Sequence, residues 1–218
     1  MEGATGQGAR IEQRYPGVSM TIRPCIALSA AGDNMPSAFT HIFVAGALGK
    51  TYAPRETTMR FWVLTVACTL LPDIDIIGFY FGIKYGDVFG HRGFFHSLTF
   101  SLLAGIIVMF FAFRSVPRFT KRWWGMFAFI SAVVASHGFL DSMTDKGMGV
   151  GFFIPFDNTR YFMPWRPVYA SPMKISKFFS HAGSEVLISE IIWIWIPLTL
   201  LYAGVSLHRK KMQKLPTN

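Results

Sequence analysis

Long apolar stretches dominate this sequence and restrict its fold more than any other feature. A helix that crosses the hydrocarbon core of a bilayer needs roughly 20 apolar residues, within a range of about 17 to 25. Four stretches meet this requirement: 61–83, 97–113, 123–141 and 186–207. A fifth, 37–53, could be a short span or a buried helix. We therefore predict an all-α, polytopic helical membrane protein with about five transmembrane helices, four or six being the alternatives.

The composition agrees with this class and argues against a nucleic-acid-binding module, a disulfide framework and a thiolate zinc site. Only 15% of the residues are charged, against roughly 25% in soluble domains, and the mean hydropathy is +0.36. The net charge of +9 is not gathered into one basic block, so no nucleic-acid partner is expected. Cys25 and Cys68 are the two cysteines, and Cys68 lies in an apolar run. This spacing argues against a disulfide framework and against a thiolate zinc site.

The chain divides into three parts. Residues 1–34 are rich in Gly, Ala, Ser and Arg and lack a long apolar run, so we expect a disordered extension. Met35 begins a segment that reads as a natural start. Residues 35–207 form the membrane-embedded domain, and residues 208–218 form a basic cytoplasmic tail.

Basic residues in the short connections predict the orientation, because Lys and Arg accumulate in cytoplasmic loops. Each helix reverses the direction of the chain across the membrane. The topology therefore places the first connection, the third connection and the C-terminal tail on the same side. They carry eleven basic residues: Lys50, Arg55, Arg60, Arg114, Arg118, Lys121, Arg122, Arg209, Lys210, Lys211 and Lys214. We therefore expect a cytoplasmic C-terminus in an inner membrane protein.

This topology brings ligand-type side chains from all the helices to the opposite, external end. They are His41, Asp73, Asp75, His91, His96, His137, Asp141, Glu185 and Glu190. Random placement would scatter such residues over both ends. Ionisable groups in membrane helices are costly and usually face a bundle interior or a wet cavity. The pattern therefore predicts one polar site at the periplasmic or external face.

Local spacing refines this prediction. His137 and Asp141 are four residues apart and share a helix face. Asp73 and Asp75 would point apart on a continuous helix, but a bend at Pro72 would let both turn inward. Five residues separate His91 from His96, which suits a turn followed by a helix start.

Imidazole and carboxylate ligands without thiolate favour a divalent metal, with zinc first and manganese, iron or nickel as alternatives. One or two ions would fit the number of ligands. Structural readings stay open: His41 as a cap or interface residue, "LPDID" as a helix-ending turn, and His137 with Asp141 as an interhelical hydrogen bond. His91 and Arg92 could also snorkel to the interface. We favour Arg92 as a clamp for phosphate or carboxylate, because its planar fork suits such groups.

The motifs "THIFVAGALG", "LPDID", "HRGFFHS" and "SHGFLD" resemble those of a known family. It comprises LexA-binding, inner membrane-associated hydrolases, also called membrane-bound metal-dependent hydrolases. The family pattern has an early histidine, D-x-D after Leu-Pro, H-R-x-x-x-H-S and H-x-x-x-D. The matching positions are His41, Asp73, Asp75, His91, Arg92, His96, Ser97, His137 and Asp141.

This resemblance spans about residues 35–207 and implies an integral bacterial or archaeal membrane hydrolase that depends on a metal. The long connection 142–184 departs from a minimal version of the pattern. Its aromatic and basic stretch "FFIPFDNTRYFMPW" could cover the site or contact lipid headgroups.

We therefore expect a hydrolase in which metal-activated water attacks an ester or phosphoester near the membrane interface. Membrane lipids are the expected partners, and a lipid or a lipid-linked phosphoester is a candidate substrate. We assign the metal to five residues: His41, Asp73, His96, His137 and Asp141. Asp75 or His91 would act as the general base or support the ligands, and Arg92 would steady substrate charge. An ion or metal transporter and a regulatory membrane protein with a structural metal are the alternatives.

Overall fold

The chain forms five helical rods in a computed structural model that describes residues 37–53, 58–171 and 181–213. Helix α1 spans Ala38–Tyr52, α2 spans Met59–Leu70, α3 spans Leu98–Phe111 and α4 spans Lys121–Ser142. The fifth rod comprises α5 (His181–Glu190), a π-helical turn (Ile191–Trp195) and α6 (Ile196–Gln213). These described ranges contain two isolated β-bridges and no strand, which confirms the all-α class.

Three of the rods are long and apolar enough to cross a membrane: Met59–Phe81, Lys121–Ser142 and Gly183–Met212. Helix α3 is apolar but has only 14 residues, and α1 has 15. All five predicted spans therefore correspond to helices, and three of these meet the length of a full span. The predicted disorder of 1–34, the start at Met35, and the basic residues Arg55 and Lys214 lie outside the described residues.

Helix α4 lies at the centre of the bundle and packs against α1, α2 and α3. Its residues Ile130 and Val133 are completely buried. A close approach of α3 depends on Gly105, where an added Cβ would lie 2.2 Å from Oγ of Ser131. Small residues at such a crossing let two membrane helices pack backbone to backbone. The crossing holds α4 in place, and α4 carries two of the predicted ligands.

Helix α2 changes geometry at the predicted position. A 3₁₀ segment, Leu71–Phe81, begins one residue before Pro72. Proline has no N–H and therefore cannot continue the α-helical hydrogen-bond ladder. In a 3₁₀ helix, residues three apart share a face. The segment consequently turns Asp73 and Asp75 differently from a continuous α-helix, and both reach the site.

The connection after α4 folds back over the ends of the helices. The N–H of Gly151 donates to the carbonyl of Arg92, and the N–H of Leu98 donates to the carbonyl of Phe152. Val150 and Val168 in this connection are completely buried. The described part of the connection therefore covers the site, one of the two roles that its sequence suggested.

A candidate metal centre

The structure brings all eight predicted site residues into one cluster. They are His41 of α1, Asp73 and Asp75 of the 3₁₀ segment, His91, Arg92 and His96 of the turn before α3, and His137 and Asp141 of α4. Every one except Asp73 is buried. The Asp73 side chain is 23% exposed. The inference that one end of the bundle gathers these groups therefore agrees with the geometry.

His137 is oriented by a backbone group. Its Nδ1 lies 2.7 Å from the carbonyl oxygen of Thr69. Because a carbonyl only accepts, Nδ1 donates its proton to Thr69, and Nε2 is the nitrogen that faces the cluster. Nε2 lies 3.1 Å from Oδ1 of Asp73. The next residue, Gly138, lets α4 approach the turn, since an added Cβ would lie 2.8 Å from the carbonyl oxygen of His96.

Asp141 lies at the meeting point of three elements. Its Oδ2 is 3.2 Å from Nε2 of His96 and 3.2 Å from Nε of Arg92. Its Oδ1 is 3.7 Å from Nε2 of His41. Neither carboxylate oxygen makes a hydrogen bond of normal geometry. The buried Arg92 guanidinium compensates the charge of this carboxylate, and its oxygens still have lone pairs that a metal ion could use.

His41 stacks on His137, with ring centroids 3.8 Å apart and planes 11° apart. Its two ring nitrogens are buried and make no hydrogen bond. Burying such polar atoms unsatisfied costs free energy. These nitrogens favour a role for His41 as a metal ligand over the cap or interface role that the sequence left open.

Asp75 joins two imidazoles on one side of the cluster. Its Oδ1 lies 2.8 Å from Nδ1 of His91, and its Oδ2 lies 3.0 Å from Nδ1 of His96. The backbone N–H of Arg92 also donates to Oδ2. Carboxylates that contact the rear nitrogen of an imidazole fix its orientation and raise its basicity as a ligand. Asp75 therefore has the geometry of a supporting group.

Arg92 occupies a restricted position. Its backbone has φ +60°, in the left-handed region that costs free energy for a residue other than glycine. Its completely buried guanidinium pairs through Nε with Asp141 and donates through Nη1 to the carbonyl of Lys146. These contacts hold Asp141 in place. The role of substrate clamp that the sequence suggests for Arg92 stays a prediction.

His96, which precedes α3, lies between the carboxylates of Asp75 and Asp141. Burial lowers its pKa, but the carboxylates of Asp141 and Asp75 outweigh burial and raise the pKa from 6.5 to about 9. A metal ion that binds here must displace the imidazolium proton, because only neutral imidazole coordinates.

The donor atoms fall into two groups that could each hold an ion. One comprises His41, His137 and Asp141, and the other comprises Asp73, His91 and His96. Within each group the donor atoms lie within 4.8 Å of one another. The unsatisfied nitrogens of His41 fit such ligation. Imidazole and carboxylate suit zinc, manganese, iron or nickel, so the residues fit the predicted divalent metal.

The two groups contain all five predicted ligands and add His91, which the sequence interpretation placed among the catalytic groups. Other contributors were missed. The carbonyl of Thr69 has no sequence signature, because every residue has a carbonyl. Arg160 donates to the carbonyls of Tyr85, Asp87 and His91 and so fastens the covering connection to the turn. Only its position in the aromatic and basic stretch pointed to it.

Glu190 lies outside the cluster but contacts the helix that carries His41. It is completely buried and accepts hydrogen bonds from the N–H and hydroxyl of Ser37 and from the hydroxyl of Thr40. Thr40 also accepts from Nε1 of Trp195. Glu190 therefore ties the fifth rod to the start of α1. His181 and Glu185, by contrast, form an exposed pair.

Comparison with known proteins places this chain in an inner membrane family. A family model described as YdjM inner membrane protein matches residues 35–212. The inner membrane protein YbcI of Escherichia coli (strain K12) is 35% identical over 176 residues, which cover 81% of this chain and 100% of YbcI. No solved structure matches. These names carry no activity, so LexA binding and hydrolysis stay predictions.

Proposed function

Because this chain belongs to the family of YdjM inner membrane proteins, we propose that it is an integral inner membrane hydrolase. The enzyme depends on a divalent metal, zinc in the first place, and cleaves an ester or phosphoester. The observation that carries this proposal is the pair of adjacent imidazole–carboxylate groups, in which both ring nitrogens of His41 and both carboxylate oxygens of Asp141 are buried without a hydrogen bond. Buried polar atoms of a structural cluster are normally paired with protein groups or ordered water, so these atoms support a role in binding a metal.

The ligands in this proposal are His41, His137 and Asp141 in one group, with Asp73 and His96 from the other. When bound, a divalent ion supplies Lewis acidity and lowers the pKa of a bound water toward neutrality. Arg92 holds the Asp141 carboxylate, and the Thr69 carbonyl holds Nε2 of His137 toward the cluster. The covering connection excludes bulk water, which strengthens every charge interaction in the site.

Proton transfer is assigned to the pair formed by His91 and Asp75. Nε2 of His91 makes no hydrogen bond, and Nδ1 lies against the Asp75 carboxylate. That arrangement lets Nε2 accept a proton while Asp75 stabilises the resulting imidazolium, as a carboxylate does for a catalytic histidine. His91 is thus the general base of the proposal, and Asp75 orients it.

The orientation is part of the proposal. Arg114, Arg118, Lys121 and Arg122 lie between the end of α3 and the first turn of α4, at the opposite end of α4 from His137. The positive-inside rule assigns that end to the cytoplasm. The centre then faces the periplasm, and the C-terminus lies inside.

A panel of carboxylic esters, phosphomonoesters, phosphodiesters and amides, presented to the zinc-loaded protein in nanodiscs, tests the activity. We expect hydrolysis of an ester or phosphoester class, lost by at least about 10²-fold in His91→Ala. His208→Ala, at the far end of α6, is the matched control and should retain full activity. Absence of hydrolysis across the panel, together with metal-dependent ion flux into liposomes, would support a transporter instead.

A further inference from the structure

We propose that the metal centre opens sideways into the bilayer beside Asp73, so that its substrate is a membrane lipid that arrives from the hydrocarbon phase. This inference rests on the proposed hydrolase and names its substrate class. The scissile ester or phosphoester reaches the cluster past the 3₁₀ segment of the second rod rather than through the covering connection.

The end of the bundle that faces water is closed. The covering connection hydrogen-bonds to the turn before α3 through Gly151 and Phe152, and Arg160 adds three backbone carbonyl contacts. Arg92, beneath this cover, is completely buried, and His91 and His96 are buried with it. A water-soluble substrate would have to displace the cover and break these hydrogen bonds.

The exposed group of the cluster lies instead on the membrane-spanning rod. Asp73 is eight residues before the end of the span Met59–Phe81, and its side chain is 23% exposed. The other seven site residues are buried. Access in this structure is therefore beside Asp73, within the length of a helix that is long and apolar enough to cross a membrane.

The threefold repeat of the 3₁₀ helix shows what surrounds that opening. Ile74, Ile77 and Tyr80 share one face, and their exposed fractions are 47%, 52% and 88%. Asp75 lies on a second face, where its own side chain is buried against His91 and His96. Asp73 belongs to the third face and so borders the exposed apolar face. An opening rimmed by isoleucine side chains suits an acyl chain and repels a soluble, hydrated anion.

The two parts of a lipid, its acyl chains and its ester or phosphate group, match the apolar face and the polar cluster of this opening. The apolar face would contact acyl chains, while the imidazole and carboxylate groups lie one helix face away, where the ester or phosphate of a lipid could meet a bound ion. No other charged side chain lies on the 3₁₀ segment between Leu71 and Phe81 besides the two site aspartates.

Carbodiimide labelling of the unsubstituted protein tests the lateral opening without any assay of hydrolysis. The chelator-treated protein in nanodiscs is exposed either to dicyclohexylcarbodiimide, which partitions into lipid, or to a water-soluble carbodiimide, and modified carboxyls are located by mass spectrometry. We expect Asp73 to react with the lipid-soluble reagent and to resist the water-soluble one. Asp87, exposed in a loop, should show the opposite preference. Reaction of Asp73 with the water-soluble reagent to the extent of Asp87, or with neither reagent, would overturn the proposal.

A second arm compares substrates. Ile77→Trp narrows the opening, and Val63→Trp places the same side chain at an exposed position near the other end of the rod, where Val63 is 56% exposed. Ile77→Trp should reduce cleavage of a bilayer-embedded ester at least about tenfold, or about 1.4 kcal/mol of transition-state stabilisation, and Val63→Trp should not. If Asp73 reacts with the lipid-soluble reagent but no substrate is hydrolysed, the proposed hydrolase activity is wrong and the lateral opening is supported. If substrates are hydrolysed but Asp73 reacts with the water-soluble reagent, the hydrolase activity is supported and the lateral opening is wrong.

Discussion

The carbonyl oxygen of Thr69 lies 2.7 Å from Nδ1 of His137 and thereby decides which nitrogen of that imidazole faces the cluster. Thr69 lies two residues before the 3₁₀ segment that carries Asp73, and Nε2 of His137 meets that aspartate. The same stretch of backbone therefore orients one candidate ligand and supplies another.

We expect Asp141→Asn to lose both metal binding and stability. The substitution removes the carboxylate that pairs with the buried Arg92 guanidinium, and an uncompensated buried charge costs about 3–5 kcal/mol. Thermal unfolding of the metal-free protein in detergent measures the loss. The double variant Asp141→Asn with Arg92→Met should recover part of the stability but should not recover metal binding. Recovery of metal in the double variant would show that Asp141 is not a ligand.

Gly147→Ala should displace the Arg92 side chain. Gly147 has φ +102°, and an added Cβ would lie 2.4 Å from Nη1 of Arg92. Gly82 is the matched control, because it has φ +79° but open space around its Cβ position. Gly82→Ala should cost only the backbone strain, about 1 kcal/mol, as measured by thermal unfolding. An equal cost at both positions would mean that Arg92 moves freely.

Glu190→Gln should weaken metal binding through His41. An amide cannot accept all three hydrogen bonds from Ser37 and Thr40 without turning its NH₂ toward a donor, at a cost of about 1–3 kcal/mol. Glu185→Gln, exposed on the same rod, should change nothing. Zinc affinity measured by chelator competition gives the result. In a His41→Ala background, Glu190→Gln should no longer change zinc affinity but should still lower stability. A change in zinc affinity that persists without His41 would contradict the connection between Glu190 and metal binding through His41.

The C-terminus should lie in the cytoplasm, because the tail carries Arg209, Lys210 and Lys211. A C-terminal green fluorescent protein should fluoresce, and a C-terminal alkaline phosphatase should be inactive. An active phosphatase fusion would place the metal centre on the cytoplasmic side.

The helices and the composition of the cluster could be predicted because both follow from local patterns. Apolar runs predict where the helices lie. Because successive helices run in opposite directions, four ligand-type residues fall at the same end of the bundle, independently of how the helices pack: His41, Asp73, His96 and His137. Pro72 predicted a change in the helix at this point, and the 3₁₀ segment that begins there turns both aspartates inward.

The remaining features depend on contacts between distant segments. Glu190 meets Ser37 across 153 residues of sequence, and Thr69 and Arg160 act through backbone carbonyls, which no side chain reveals. The length of α3 was also overestimated at both ends. Ser97 caps the helix by accepting from the N–H of Phe100, and the helix ends at Phe111, before Ala112 and Phe113.

Metal content of the purified protein tests the central claim most directly. After saturation with zinc and removal of excess, inductively coupled plasma mass spectrometry should find about one or two equivalents in the unsubstituted protein. His137→Ala and His41→Ala should each lose at least one of them, and Glu185→Gln should lose none. Absence of zinc and of other divalent metals from the unsubstituted protein, or full retention in both histidine variants, would contradict the account.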